Sequence, residues 1–394
     1  MARLAALPLL GMLRPFGLRP SARKAVLLLL LAGCHAAPPA ALDPNGRLIG
    51  IVTDVGGRGD QSFNDGALRG LEAWACGLRY TASGYAPLTA PELTASLPPD
   101  LAQSLGVPKP IAGLRPLVLQ ARAQEDYRPD LELLAQRHVA LAVGVGFMLE
   151  DAVAAEAKGH PTQRYLLIDS PILDAQGAEL TLPNVESVTF REQEGSYLAG
   201  ALAGLATRSG KVGFIGGMQV PLIQRFEAGF RAGLERTNPA AARALVVQYT
   251  GSFDDSSAGK RLGQSLYGGG VDVLFQAAGA DGLGVIQAAK EAGRFVIGVD
   301  SDQAQLAPAS VLTSMVKHVD LAVYLAARDV GLGRFTPGNR ELGLAEGGVG
   351  LAPVRVDFPG KAQALATIER LRGEIASGRL SVPRAPESPA ARAK

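Results

Sequence analysis

Cysteine is nearly absent: the 394 residues hold only Cys34 and Cys76. A disulfide scaffold is thereby excluded, and Cys76, set in a helical pattern, reads as a small buried apolar residue. Histidine is almost as scarce. His35 lies near the N-terminus, and His138, His160 and His318 are far apart without metal-ligand spacing, so no metal centre is expected. Neither sign of charge dominates. The 39 basic and 37 acidic residues leave +2, which argues against nucleic acid as a partner. The chain has no G-x-x-x-x-G-K-[ST] phosphate loop, no G-x-S-x-G elbow and no H-E-x-x-H pair, so three common enzyme chemistries lack their motifs. The apolar run Val26–Leu31 is far shorter than the ~20 residues of a membrane span. Aromatic residues are few, whereas Ala, Leu, Val and Gly abound, as in parallel sheets covered by helices.

The N-terminal residues have a different character. Arg19, Arg23 and Lys24 precede the short apolar run, and Leu31-Ala32-Gly33-Cys34 matches the lipobox at which bacterial lipoprotein signals are cut. Residues 1–34 therefore read as an export signal, with Cys34 as the lipid-bearing residue. An ordinary signal peptide with a chance cysteine is the plainer alternative. Residues 35–46 are rich in Ala and Pro and read as a tether. This predicts a bacterial cell-envelope protein, held to the membrane by lipid, on the periplasmic face or the cell surface.

The rest of the chain is organised around Arg47–Trp74. Leu48–Thr53 is an apolar, β-branched run that predicts a buried strand. Asp54 follows, then Gly56, Gly57 and Gly59 permit a tight turn. Ser62 or Asn64 can cap a helix carrying Ala67, Leu68, Leu71 and Trp74 on one face. Ligands of open α/β sheets sit beyond the carboxyl ends of strands, which is where Asp54, Phe63 and Asn64 fall. Taken singly, Asp54 could equally cap a turn and Phe63 pack into the core.

Beyond a proline-rich excursion at about 79–116, strands and helices alternate to about residue 332. That spacing predicts parallel sheets with right-handed crossovers. The strands are too many for one comfortable sheet, so two doubly wound α/β lobes joined by a hinge are expected, with a ligand between them. The expected first lobe is 47–171 and the second 172–300. Residues 301–332 would return to the first lobe, and 333–378 would return to the second and end in a helix. Residues 379–394 read as disordered.

The polar and aromatic residues at strand ends are the candidates for binding. Asp300 suits a vicinal diol, because a carboxylate accepts from two neighbouring hydroxyls. Lys317 can donate to sugar oxygens and offset the charge of Asp300. Phe63 and Phe253 can sandwich a flat base. Asn64 and Asp54 can read a purine edge, and Gly279 lets backbone approach a ligand. The acid after the third strand is either Asp151 or Asp169. From the residues alone, Phe253 could be loop packing and Lys317 a solvated lysine.

These residues fall in blocks that resemble the basic membrane protein family, the lipoprotein binding components of nucleoside uptake systems. The blocks are Thr53-Asp54-Val55-Gly56-Gly57, Ser62-Phe63-Asn64, Gly144-Val145-Gly146-Phe147, Glu194-Gly195-Ser196-Tyr197-Leu198-Ala199-Gly200, Gly213-Phe214-Ile215-Gly216-Gly217-Met218, Phe226-Glu227-Ala228-Gly229-Phe230, Ile297-Gly298-Val299-Asp300 and Leu312-Thr313-Ser314-Met315-Val316-Lys317. They run in family order over roughly Arg47 to Pro353, with the nearest likeness to purine nucleoside receptor lipoproteins. The resemblance implies a type I periplasmic-binding-protein-like fold and a nucleoside held by Asp54, Phe63, Asn64, Asp151 or Asp169, Phe253, Gly279, Asp300 and Lys317. It also implies a monomer that works with the membrane permease and ATPase of an ABC transporter, without a cofactor and without catalysis. Two features depart from it: the proline-rich excursion, and Arg58-Gly59-Asp60-Gln61 before Ser62. A sensory or surface-interaction lipoprotein on the same fold is the alternative reading, and a nucleoside-cleaving enzyme a more distant one.

Overall fold

Alternation of strand and helix produces two six-stranded sheets of closely similar design. The computed structural model describes residues 47–386; residues 1–34, read as an export signal ending at Cys34, residues 35–46, read as a tether, and residues 387–394 lie outside the described residues. In the first sheet the strands lie in the order Gly338–Leu342, Val185–Phe190, Tyr165–Ile168, Leu141–Val145, Arg47–Thr53, Leu114–Gln120, all parallel. In the second the order is Val349–Leu351, Val311–Lys317, Phe295–Asp300, Val273–Ala277, Val212–Gly216, Val246–Tyr249, parallel except for the first pair. Five strands of each sheet thus follow the doubly wound order in which the first strand lies between the second and third. The β-branched runs read from the sequence are the buried cores of these sheets. Ile49, Ile51, Leu141, Val143 and Ile168 in one sheet and Phe214, Phe275 and Ile297 in the other are fully buried. Each such side chain contributes roughly 1.5–3 kcal/mol relative to exposure.

The chain crosses between the sheets three times, and each crossing differs from the sequence expectation. The first was expected near Ile172. It comes after Phe190, because Val185–Phe190 pairs with Tyr165–Ile168. The second was expected near Asp300, with 301–332 wholly in the first lobe. Instead Val311–Lys317 pairs with Phe295–Asp300, and the chain leaves the second sheet only at His318. Helix Val319–Gly331 then packs on the π-helical turn Arg69–Ala75 of the first lobe. Gly70 permits this contact, since a β-carbon there would lie 2.2 Å from the Asp320 carbonyl oxygen. The third crossing was expected near Gly333, but Gly338–Leu342 still adds a strand to the first sheet. The crossing occurs between Leu342 and Val349. Periodicity distinguishes strand from helix; which sheet a strand joins depends on long-range pairing that periodicity does not encode.

The proline-rich excursion is structured. Leu78–Thr81 and Gly84–Pro87 form an antiparallel hairpin, and Ala90–Ala95 is a helix whose capping box joins Thr89 and Glu92. Leu93 and Leu101 are buried beneath it. Pro116 lies in the edge strand Leu114–Gln120, where a missing backbone donor is tolerated. The final helix, Lys361–Ala376, packs on Glu192–Ala206 in the second lobe. Residues 379–386, read as disordered from their composition, are docked. Val382 is buried and Arg384 pairs with Glu341 at 2.7 Å.

Candidate ligand-binding site

A cavity lies between the carboxyl ends of the two sheets. Asp54, Gly146 and Phe147 enter it beyond the first and third strands of the first sheet, at the switch point where such sheets hold ligands. Ala277 and Gly279 enter from the matching point of the second sheet. Asp54, Phe63, Asn64, Asp169, Phe253, Gly279, Asp300 and Lys317 all line this one cavity. Asp151 does not. It is exposed in the first turn of helix Glu150–Gly159, so Asp169 is the acid that the fold brings to the site.

The opening loop is built around Asp60. This buried carboxylate accepts from the backbone N–H groups of Ser62 (2.9 Å), Asn64 (2.7 Å) and Asp65 (3.0 Å), and so starts the helix Phe63–Leu68. It also accepts from Asn64 Nδ2 at 3.0 Å. Asn64 Nδ2 donates to Asp54 Oδ1 at 2.6 Å as well, while Asn64 Oδ1 accepts from the Asp54 N–H at 3.1 Å. Both donors of the Asn64 amide are therefore used within the protein. Asn64 orients Asp54, where sequence reasoning had it reading a base edge directly. Asp54 Oδ1 also takes the Gly56 N–H at 2.9 Å, whereas no donor among the described residues bonds its Oδ2. Burial pushes the Asp54 carboxyl up to about 6 against the opposing bonds from Asn64 and Gly56. Burial likewise takes Asp60 to about 7 despite its amide donors.

The opposite side of the site is a charge cluster on Lys317. Its ammonium donates to Asp169 Oδ2 at 2.6 Å and lies 3.8 Å from Asp300 Oδ1. The closer partner is thus Asp169, not Asp300 as expected. The same ammonium sits 4.5, 5.5 and 5.7 Å from the ring centres of Phe63, Phe226 and Phe190. Burial would lower the Lys317 pKa, but Asp169, Asp300 and Glu192 outweigh it and hold the ammonium above the ordinary lysine range. Burial raises Asp300, opposed by Lys317 and by Ser62, whose hydroxyl donates to Asp300 Oδ2 at 2.6 Å. Asp169 Oδ1 is buried without a partner among the described residues, an acceptor left available.

Phe253 stands on the second-lobe side and meets Phe147 edge-on, with ring centres 6.2 Å apart. Gly279 has φ +55°, and a β-carbon there would come 3.3 Å from the Phe253 β-carbon, so a side chain would meet left-handed backbone and press on Phe253, which glycine avoids. Sequence reasoning quoted Phe147 and Phe226 only inside family-like blocks and did not assign them to the site. Phe147 follows a strand end, the signal used for the other candidates. Phe226 lies in the middle of helix Pro221–Thr237, where an apolar residue reads as core. Glu192 was also missed. It is fully buried, 3.6 Å from Arg225, and burial raises its carboxyl above the ordinary range. Among the described residues no three His, Cys, Asp or Glu side chains gather as a metal site.

Residues 49–385 match the model of the Bmp family, ABC transporter substrate-binding proteins of the PnrA-like type. The chain belongs to this family. A CD4+ T-cell-stimulating antigen of Listeria monocytogenes is 32% identical over 357 residues, covering 86% of this chain and 88% of that protein. The ABC transporter nucleoside-binding protein BmpA of Lactococcus lactis is 31% identical over 375 residues, covering 90% of this chain and 95% of that protein. Among solved structures, an ABC transporter solute-binding protein of Aeropyrum pernix superposes with a TM-score of 0.67 at 28% identity, covering 87% of this chain and 95% of the other. The two-lobed fold of this PnrA-like protein is thus that of periplasmic binding proteins.

Proposed function

We propose that this protein is the lipid-anchored, nucleoside-binding component of an ABC uptake system, with purine nucleosides as its ligands. The observation that carries the reading is the placement of Lys317 between Asp169 and Asp300, in a cavity also lined by Phe63 and Phe253. Carboxylates beside an ammonium suit a ribose: the acids accept from hydroxyls, and the ammonium donates to ring or hydroxyl oxygen. Aromatic rings suit a flat base, with stacking worth about 1–3 kcal/mol per base. Asp54 Oδ2 is an acceptor for an N–H on the base edge. The nucleoside-binding name of the Lactococcus relative supports the same ligand class.

In this reading ligand binding favours the arrangement with both sheet ends around the cavity, and the bound form is recognised by a permease driven by a separate ATPase. The Leu31-Ala32-Gly33-Cys34 motif supports anchoring outside the cytoplasm through Cys34. A thermal-melting panel tests the ligand class. Adenosine, guanosine and inosine should each raise the melting temperature at micromolar concentration, whereas free ribose and free base should raise it far less. A flat response across the panel would remove the nucleoside assignment.

A further inference from the structure

The proline-rich excursion reaches the crossings between the two sheets. Asp100 Oδ2 lies 2.7 Å from His318 Nε2, and His318 is the residue through which the chain leaves the second sheet. His318 Nδ1 lies 3.3 Å from Asp320 Oδ1, and Asp320 Oδ2 accepts from Arg69 Nη2 at 2.6 Å. Pro98, Pro99 and Asp100 share a small hollow with Val316, Ala352 and Pro353 of the second lobe. Leu101 lies against Gly347 in the third crossing, with its Cδ2 3.7 Å from where a β-carbon would stand. Farther along, the Lys109 N–H donates to the Tyr324 hydroxyl at 3.2 Å, on the helix that follows His318. The excursion therefore touches two crossings and the helix between them.

We propose that this excursion is a clasp on the hinge, in which Asp100 is a positioning residue that acts through His318 on Lys317. The imidazole has a carboxylate at each nitrogen, so only the doubly protonated ring can donate to both. Held this way, His318 fixes the backbone at its position, and the adjacent Lys317 presents its ammonium to the cavity. Burial pulls the imidazole pKa down, but the bonds to Asp100 and Asp320 outweigh it and hold it at about 9. Asp300 and Asp302 line the same hollow, Asp302 being paired with Arg355 at 2.8 Å. Arg372 approaches Gly350, which Asp100 also abuts. A folded pKa above the ordinary histidine value means that the clasp is complete at neutral pH and is lost as pH rises through about 9.

The experiment measures adenosine affinity from neutral pH to about pH 10 for the wild type, D100N and H318Q; adenosine carries no base N–H that ionises in this range. This arm rests on the nucleoside reading above. Wild-type affinity should be level below the transition and fall roughly fivefold or more across it. D100N should bind more weakly at neutral pH, with its transition moved to lower pH. H318Q should show no transition. Wild-type affinity and an unchanged pH profile in D100N would overturn the clasp. Absence of adenosine binding to the wild type would count against the nucleoside reading alone. Amide exchange at residues 317–322, corrected for its intrinsic pH dependence, then decides the clasp without ligand. Faster exchange in D100N supports it, and unchanged exchange overturns it.

Discussion

Asp169 and Asp300 occupy matching places in the two halves of the molecule. Asp169 follows Tyr165–Ile168 and Asp300 ends Phe295–Asp300, each the fourth strand of its sheet in chain order. Both adopt left-handed backbone, with φ +72° and +62°. Non-glycine residues seldom do so, and Asp is among the few that tolerate it. The cost, on the order of 1 kcal/mol each, is borne where it turns two carboxylates toward one lysine. The Lys317 ammonium is 2.6 Å from one and 3.8 Å from the other.

Lys317→Met should therefore abolish the melting shift caused by nucleosides and also destabilise the ligand-free protein. Removing one partner from a buried ion pair costs roughly 3–5 kcal/mol, because the other charge is left without compensation. Melting curves with and without ligand measure both effects. Unchanged stability of the ligand-free variant would contradict the buried-cluster account.

The aromatic pair gives a separate prediction. Phe63→Ala and Phe253→Ala should each weaken nucleoside binding by about 1–3 kcal/mol through lost stacking. Their effects on ribose alone should be small. Titration calorimetry with nucleoside and with ribose distinguishes these outcomes.

Asp54 and Asp60 lead to a pH prediction. Burial raises both carboxyls, to about 6 and about 7, despite the hydrogen bonds that oppose it. An acid whose pKa rises on folding stabilises the fold when protonated. That contribution is complete below the ordinary carboxylate range and is lost as pH rises through about 6 to 7. Melting of the ligand-free protein should fall as pH rises from the ordinary carboxylate range to about 6 to 7, and D54N should remove about 3 kcal/mol of that total change. Nucleoside affinity should move the other way, weakening at low pH as Asp54 loses its charge. Parallel pH trends in stability and affinity would argue against Asp54 as an acceptor for the ligand.

Asn64→Ala should act through Asp54. The substitution removes two donors, one of them 2.6 Å from Asp54 Oδ1, and leaves that carboxylate less supported. Binding should weaken by about 1–3 kcal/mol. The low-pH loss of affinity should also shift to higher pH, because a bond that favours the charged form is gone. An unshifted pH profile would show that Asn64 does not orient Asp54.

Much of this site is legible in the sequence because strand ends carry its chemistry. Asp54, Asp300 and Lys317 each follow or end an apolar run, and the doubly wound order places such ends together. Asp151 and Asp169 show the limit. Both follow apolar runs, but a helix begins between the strand end and Asp151, which turns Asp151 to solvent. The roles of Asn64 and Asp60 were not legible, since hydrogen-bond direction within a loop depends on coordinates. The lobe boundaries failed for a related reason. Val185–Phe190 and Val311–Lys317 read as strands, but only pairing shows which sheet each joins. Residues 379–386 misled by composition, because Leu380 and Val382 pack on the core and Arg384 pairs with Glu341, contacts that a Pro- and Arg-rich composition does not announce.

The most direct measurement is calorimetric titration of the protein with adenosine, guanosine and inosine, with Lys317→Met as control. The account predicts saturable binding of one nucleoside per chain by the wild type, and none by the variant. Absence of heat with every nucleoside, or equal binding by the Lys317 variant, would contradict it.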